Sequence, residues 1–278
     1  MVSVSTLVAV VITFLITFIL PFIIYIIYGS KNKGKGVWSA WLLGSSGFFV
    51  VQILIRIPLL NILSTKTEFI TFAENHYLLY IFLLAFTAGL FEVIARYAVA
   101  KIMRKNLTYK RGIAAGLGHG GIESILIVGV TYVTNLFYIL AINTGSYEVM
   151  IEEYTKQGLD VSTLATLKDT FINTNSSIFY LAGYERLLTM IFHVALSLLV
   201  CYLVSRKKDV LAIVLGLFIH CFIDFVAAFL NSLSTNYLGN VLSITTAYII
   251  TYSVLTIVAV VSIFVIRWIK KQWVASQE

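Results

Sequence analysis

The sequence predicts an all-α fold, a polytopic bundle of about seven membrane-spanning helices with its N-terminus outside and its C-terminus cytoplasmic. Three observations carry that expectation. Of 278 residues, 59% are hydrophobic and only 12% are charged, whereas a soluble domain carries about 25% charged residues. The apolar residues gather into seven runs, each at or above the ~20 residues that a helix needs to cross a bilayer. Most basic residues fall outside those runs, after every other one, and therefore on one side.

The first run, residues 4–28, opens "VSTLVAVVITFLITFILPFIIYIIYG". It has no basic leader and is too long for the apolar region of a signal peptide, so it is expected to span, with Pro21 as a kink. Runs at 37–60, 77–100, 112–143, 177–204, 210–231 and 241–266 follow. The fourth is longer than a bilayer requires, which implies tilt or an extension past the membrane. Between the fourth and fifth runs, residues 144–176 are acidic and less apolar. That segment is expected at the outer surface, either as one or two amphipathic helices or as a solvated loop. No Ser/Gly/Pro-rich linker or internal repeat divides the chain, so residues 1–278 are expected to form a single membrane-embedded domain. Cys201 and Cys221 sit inside apolar runs and read as small buried hydrophobes, not as a disulfide.

Lysine and arginine in the connections set the orientation. Lys31, Lys33 and Lys35 follow the first run; Lys101, Arg104, Lys105, Lys110 and Arg111 follow the third. Arg206, Lys207 and Lys208 follow the fifth, and Arg267, Lys270 and Lys271 the seventh. All of these fall on one side; the other has only Lys66, Lys156 and Lys168. The net charge of +7 is therefore a topology signal, and no nucleic-acid partner is expected. The setting is a cell membrane crossed several times, of the bacterial plasma-membrane kind, with the bilayer as the obligatory partner.

A charged side chain at membrane depth costs about 2.5–3.5 kcal/mol on insertion scales. Yet Arg56, Glu92, Arg96, His119, Glu123, Glu185, Arg186, His193, His220 and Asp224 all lie within the runs. Glu92 with Arg96, His119 with Glu123, and His220 with Asp224 are each four residues apart. That interval puts each pair on one helix face, which should turn away from lipid. At 1.5 Å per residue, Glu92 and His119 lie roughly 10–12 Å from the cytoplasmic end of their helices, and His193 and His220 about 15 Å. Four helices thus bring polar groups to one level in the cytoplasmic half. Glu185–Arg186 reads as a structural pair nearer the outer face, and Arg56, just before Pro58, as a snorkelling or outer-leaflet group. Gly112, Gly116 and Gly120 recur at the small-residue spacing of close helix contacts.

Imidazoles and carboxylates at one place can hold a borderline metal such as zinc, with an open position for water and a carboxylate as base. The same groups can act without metal, a desolvated glutamate activating water while a histidine holds an oxyanion. The HExxH, Gly-x-Ser-x-Gly and P-loop patterns are absent.

The stretches "FEVIAR" (91–96), "GLGHGGIES" (116–124) and "HCFID" (220–224) resemble the YhfC family of intramembrane metalloproteases, distant relatives of the type II CAAX prenyl proteases and the bacterial CPBP proteins. In those relatives a Glu-Glu-x-x-x-Arg helix is followed by a Phe-x-x-x-His helix and, after one intervening span, by a His-x-x-x-Asn/Asp helix. The resemblance aligns Glu92 and Arg96 with the first motif, His119 with the second, and His220 and Asp224 with the third. Phe91 replaces the first glutamate, the relatives' water-activating base, and Ala115 replaces the phenylalanine. Glu123, one turn beyond His119, is the substitute candidate for the base.

The resulting expectation is an intramembrane peptidase acting on a membrane protein or peptide at the cytoplasmic half of the bilayer. Glu92, Arg96, His119, Glu123, His220 and Asp224 are its candidate catalytic residues. His119, His193 and His220 are its candidate metal ligands, with zinc as the expected ion. Glu123 or Glu92 activates water, Asp224 orients or ligates, and Arg96 anchors Glu92. Two rivals use the same residues: an ion- or metal-coupled transporter, and a non-catalytic scaffold of protease-like fold.

Overall fold

The computed structural model describes residues 1–275. Among them, seven helices are long and apolar enough to cross a membrane. In chain order they are α1 (Val4–Lys31), α2 (Val37–Leu63), α4 (Tyr77–Asn106), α5 (Tyr109–Thr144), α8 (Ser176–Ser205), α9 (Asp209–Ser232) and α10 (Ile244–Trp273). Three shorter helices complete the set: α3 (Thr67–Asn75), α6 (Ser146–Lys156) and α7 (Ser162–Asn173). The expected spans are all present. Of the two alternatives for the acidic segment, the helical one is found. No reading of the sequence had assigned α3.

Two prolines shape two of the long helices. Pro21 has no N–H to return to Thr17 O, and the hydroxyl of Ser124 donates to that carbonyl instead, at 2.9 Å. The turn just before, Leu15–Ile19, is widened to π geometry. In α2 the residues before Pro58, Phe49–Arg56, are π-helical, and Ile57 N–H reaches back to Gln52 O. Such one-turn widenings rotate the residues beyond them about the helix axis.

The packing divides the chain into two compact units, residues 1–24 with 124–187, and residues 25–123 with 188 onward. In the first, Val10, Ile139, Tyr147 and Phe171 form a buried core. Thr13 Oγ1 and Tyr132 OH both donate to Phe179 O, at 2.8 and 2.9 Å. The amphipathic faces of α6 and α7 are buried here: Tyr147 and Phe171 are inside, and Tyr147 OH donates to Leu164 O at 2.9 Å. Burial of those apolar faces is what selects helix over loop for the acidic segment.

The second unit is built on close helix approach. A Cβ placed on Gly44 would stand 2.0 Å from Ala115 O, and one on Gly118 would stand 2.1 Å from Trp41 O. α2 and α5 therefore touch backbone to backbone, tied by Ser45 Oγ donating to Gly118 O at 3.1 Å. The Gly112, Gly116 and Gly120 stripe faces α8: added Cβ atoms would meet Leu198, Val194 and His193 respectively. Cys201 and Cys221 are buried and unbridged.

Gly118→Ala should lower the unfolding midpoint of the detergent-solubilised protein more than Gly112→Ala does. The first substitution drives a methyl into a fixed backbone oxygen, an overpacking of about 1–3 kcal/mol or more. The second meets only the end of the Leu198 side chain, at 2.8 Å. Equal midpoints would mean that α2 and α5 are not in backbone contact.

Candidate functional site

The second unit gathers every candidate site residue into one cluster. α4 supplies Glu92 and Arg96, one turn apart on its buried face; their side chains are only 5% and 1% exposed. α5 supplies His119 and Glu123, α8 supplies His193, and α9 supplies His220 and Asp224. Glu92 is the hub. Its Oε2 lies 2.9 Å from Arg96 Nη2, 3.0 Å from His119 Nε2, 3.5 Å from His220 Nδ1 and 3.8 Å from His193 Nδ1. Its Oε1 accepts from Gln52 Nε2 at 2.8 Å.

The other pairs close the ring. His193 Nε2 lies 2.8 Å from Glu123 Oε2, and His220 Nε2 lies 3.1 Å from Asp224 Oδ2. Arg96 Nη2 is 2.6 Å from His193 Nδ1, and Arg96 Nε donates to Ser197 Oγ at 3.3 Å. The rings of His119 and His220 each stand 5.5 Å from that of His193. Phe48 packs edge-on against His119, and Phe192 lies against His193 and His220. Apolar walls keep the cluster dry on those sides, so its charge pairs act in a low dielectric. The least enclosed member is Asp224, at 38% exposure, followed by Glu123, at 13%.

Why the chain brings these groups together follows from local sequence. Gly116 and Gly120 let α8 approach until a Cβ at 120 would lie 2.9 Å from His193 Cβ. Gly89 lets α9 approach α4, where a Cβ would meet Cys221 N at 3.1 Å, and Cys221 adjoins His220. The π turn in α2 aims Gln52 and Arg56 at α4. Gln52 is buried at 4% exposure. Arg56, expected to snorkel or to pair with an outer-leaflet group, donates to Leu84 O at 2.8 Å, Thr87 Oγ1 at 3.2 Å and Gln52 Oε1 at 3.3 Å. Glu185 and Arg186 pair with each other in the first unit.

Gln52 and Ser197 are the site neighbours that sequence reasoning passed over. Gln52 and Arg56 share the four-residue interval of the other pairs, but a neutral amide inside an apolar run does not announce itself as an ionisable group does.

The donor set suits a divalent ion. Glu92, His119, Glu123 and His193 each offer one ligand atom, all within 4.8 Å of one another. His220 adds a more pointed feature: its Nδ1 is buried and has no hydrogen-bond partner among the described residues, although its Nε2 is held by Asp224. A carboxylate on one imidazole nitrogen and an open lone pair on the other is how metal-ligating histidines are held. The residues present therefore fit a metal.

Comparison with known proteins gives the same direction. The sequence model of a family described as YhfC intramembrane metalloprotease matches residues 16–243. The uncharacterized membrane protein YhfC of Bacillus subtilis (strain 168) is 30% identical over 187 residues, covering 66% of this chain and 70% of that protein. No solved structure matches the chain.

Proposed function

The chain belongs to the YhfC intramembrane metalloprotease family, and from that premise we propose that it is a multi-pass membrane peptidase whose chemistry centres on Glu92. The observation that carries this reading is the convergence of three imidazoles, one guanidinium and one amide from five spans on a single buried carboxylate. Internal ion pairing of helices needs two groups, not six.

In this reading His119 Nε2 and a Glu92 oxygen, two of the four mutually close donors, would hold the ion together with His220 Nδ1, which lies 3.5 Å from that carboxylate. When bound, a divalent metal such as zinc supplies Lewis acidity and lowers the pKa of its water toward about 7. The protein's own groups do the rest. Gln52 pins Glu92 Oε1, so that Oε2 faces the imidazoles. Arg96 balances the negative charge of Glu92 from the side of α8. Glu123, less enclosed than Glu92, is placed to take a proton on a carboxylate oxygen when water attacks a peptide carbonyl. Arg96 Nη1 is buried and without a hydrogen-bond partner among the described residues, which leaves a cationic donor to receive the oxyanion that develops on that carbonyl. Asp224 keeps the His220 ring turned inward. The lysines and arginines at or just beyond the ends of α1, α4, α8 and α10 support a cytoplasmic-half position for this level of the bundle, and there the proposed peptidase cuts a peptide segment of a membrane protein.

The test is metal content and hydrolysis measured together. Purified wild type should carry about one equivalent of divalent metal, and His119→Ala should lose most of it along with cleavage of a membrane-tethered model peptide. Equal metal in both proteins would end the metallopeptidase reading. Metal or proton flux in liposomes that persists with no hydrolysis would point to a carrier.

A further inference from the structure

His193 touches two partners whose hydrogen-bonding roles are set by their chemistry. Arg96 Nη2 stands 2.6 Å from its Nδ1, and a guanidinium only donates. Nδ1 must therefore turn a lone pair toward Arg96. A neutral ring that accepts at Nδ1 carries its hydrogen on Nε2, which lies at ion-pair distance, 2.8 Å, from Glu123 Oε2. The Arg96 contact thus sets the neutral tautomer, and it leaves neither nitrogen with a free lone pair for an ion. The 3.8 Å gap between His193 Nδ1 and Glu92 Oε2 agrees, because two lone-pair-bearing atoms keep apart. The alternative assignment fails at Arg96. If Nε2 bound metal through a lone pair, Nδ1 would carry the hydrogen and confront a guanidinium N–H at 2.6 Å, two donors with no acceptor between them.

We propose that His193 is a positioning residue and not a metal ligand: it couples the fixed Arg96 guanidinium to Glu123 and aims the Glu123 carboxylate. The proposal rests on the peptidase reading in which Glu123 takes the proton. The surroundings suit the role. The Arg96 side chain is 1% exposed and the His193 side chain 5%, and Arg96 is held in turn by Glu92 and by Ser197. Phe192 lies against the ring at 5.4 Å, and α5 crosses so closely at Gly120 that a Cβ there would lie 2.9 Å from His193 Cβ. A ring packed against Phe192, tied to Arg96 at Nδ1 and crowded at its Cβ by α5 has one orientation to offer. The carboxylate beside it is less enclosed than the ring itself, 13% exposed against 5%. The same rule treats His220 oppositely: its Nε2 is committed to Asp224 and its Nδ1 is open.

The experiment has two independent arms on the full chain. In the first, nitrogen-15 NMR of histidine-labelled protein identifies the His193 signals as those lost in His193→Gln. They should show Nε2 protonated and Nδ1 bare; a hydrogen on Nδ1, or on both nitrogens, overturns the assignment. In the second, cobalt(II) is loaded into wild type, His193→Ala, His193→Gln and His119→Ala. Both His193 variants should take up cobalt at the wild-type ratio with an unchanged ligand-field spectrum. Turnover should fall about 10–100-fold in His193→Ala, the usual cost of losing an orienting partner, with KM nearly constant. His193→Gln, whose amide still donates toward Glu123, should recover most of that loss. Cobalt loss in His193→Ala as deep as in His119→Ala would make His193 a ligand, and undiminished turnover would remove its positioning role. If wild type bound no cobalt and cut no peptide, the peptidase reading would fall, and the NMR arm alone would still decide which nitrogen carries the hydrogen.

Discussion

Glu92→Ala should unfold or severely destabilise the protein, whereas Glu92→Ala combined with Arg96→Met should restore folding and leave hydrolysis and metal binding abolished. Arg96 Nη2 stands 2.9 Å from Glu92 Oε2, and the guanidinium's side chain is almost wholly enclosed. Removing the carboxylate leaves a buried cation whose remaining side-chain neighbours are Ser197 Oγ and His193 Nδ1. Truncating one member of a buried ion pair costs about 3–5 kcal/mol, because the survivor keeps its desolvation penalty. That is a large share of the roughly 5–15 kcal/mol that separates most folded domains from unfolding. Replacing both members with apolar groups removes the penalty, so the double variant should be far more stable than the sum of the single effects implies. Thermal unfolding of the single and double variants checks this, with metal content measured on each. An Ala variant as stable as wild type would mean that Glu92 and Arg96 are not a desolvated pair. A double variant that still bound metal would remove Glu92 as the hub.

Much of this arrangement was legible in the sequence, for reasons that can be named. The seven spans were readable because hydrocarbon imposes a length, and because an apolar run of that length has few other uses. The three pairs at four-residue spacing were readable because lipid gives ionisable groups no destination on a helix except the interior. The coincidence of depth among Glu92, His119, His193 and His220 followed from helical rise alone.

What the sequence withheld was direction around each helix and the hierarchy within the cluster. Glu123 read as the natural replacement for a missing glutamate, but nothing in its spacing put Glu92 at the hub with Glu123 at the rim. That ranking comes from α4 crossing between α2 and α8. Gln52 stayed hidden because it carries no charge. The π turn that aims it precedes Pro58, a local widening that hydrophobic periodicity does not register. The glycine stripe on α5 was readable as a contact face, yet its partner was not: Gly112, Gly116 and Gly120 meet α8, while Gly118 meets α2. The open place of His193 beside His119 and His220 had a similar origin. Which nitrogen is open depends on Arg96, Glu123 and Asp224, all distant in sequence from the ring they control or one turn away.

That dependence sets the second large effect. His220→Ala should abolish hydrolysis and metal uptake while the protein stays folded, and Asp224→Asn should give a graded loss, about 10–100-fold in metal affinity or turnover. His220 is buried, with Nδ1 directed at Glu92 Oε2 across 3.5 Å and otherwise without a partner. An unsatisfied buried nitrogen costs about 1–3 kcal/mol, so removing it should cost little of the fold. That asymmetry separates a functional imidazole from a structural one: a histidine bridging helices would take stability with it, and a ligand would take metal. Asp224 acts only through the ring. It accepts from Nε2 at 3.1 Å and is partly open to its surroundings, so an asparagine can still place its amide oxygen there, and part of the orientation survives. Metal content, turnover and thermal midpoint for wild type, His220→Ala and Asp224→Asn should therefore rank differently. Metal and turnover should fall from wild type through Asp224→Asn to His220→Ala, with the midpoint nearly level across all three. A midpoint that collapsed in His220→Ala, with metal per folded molecule unchanged, would make α9's histidine a strut and leave the Glu92 cluster without its second imidazole ligand.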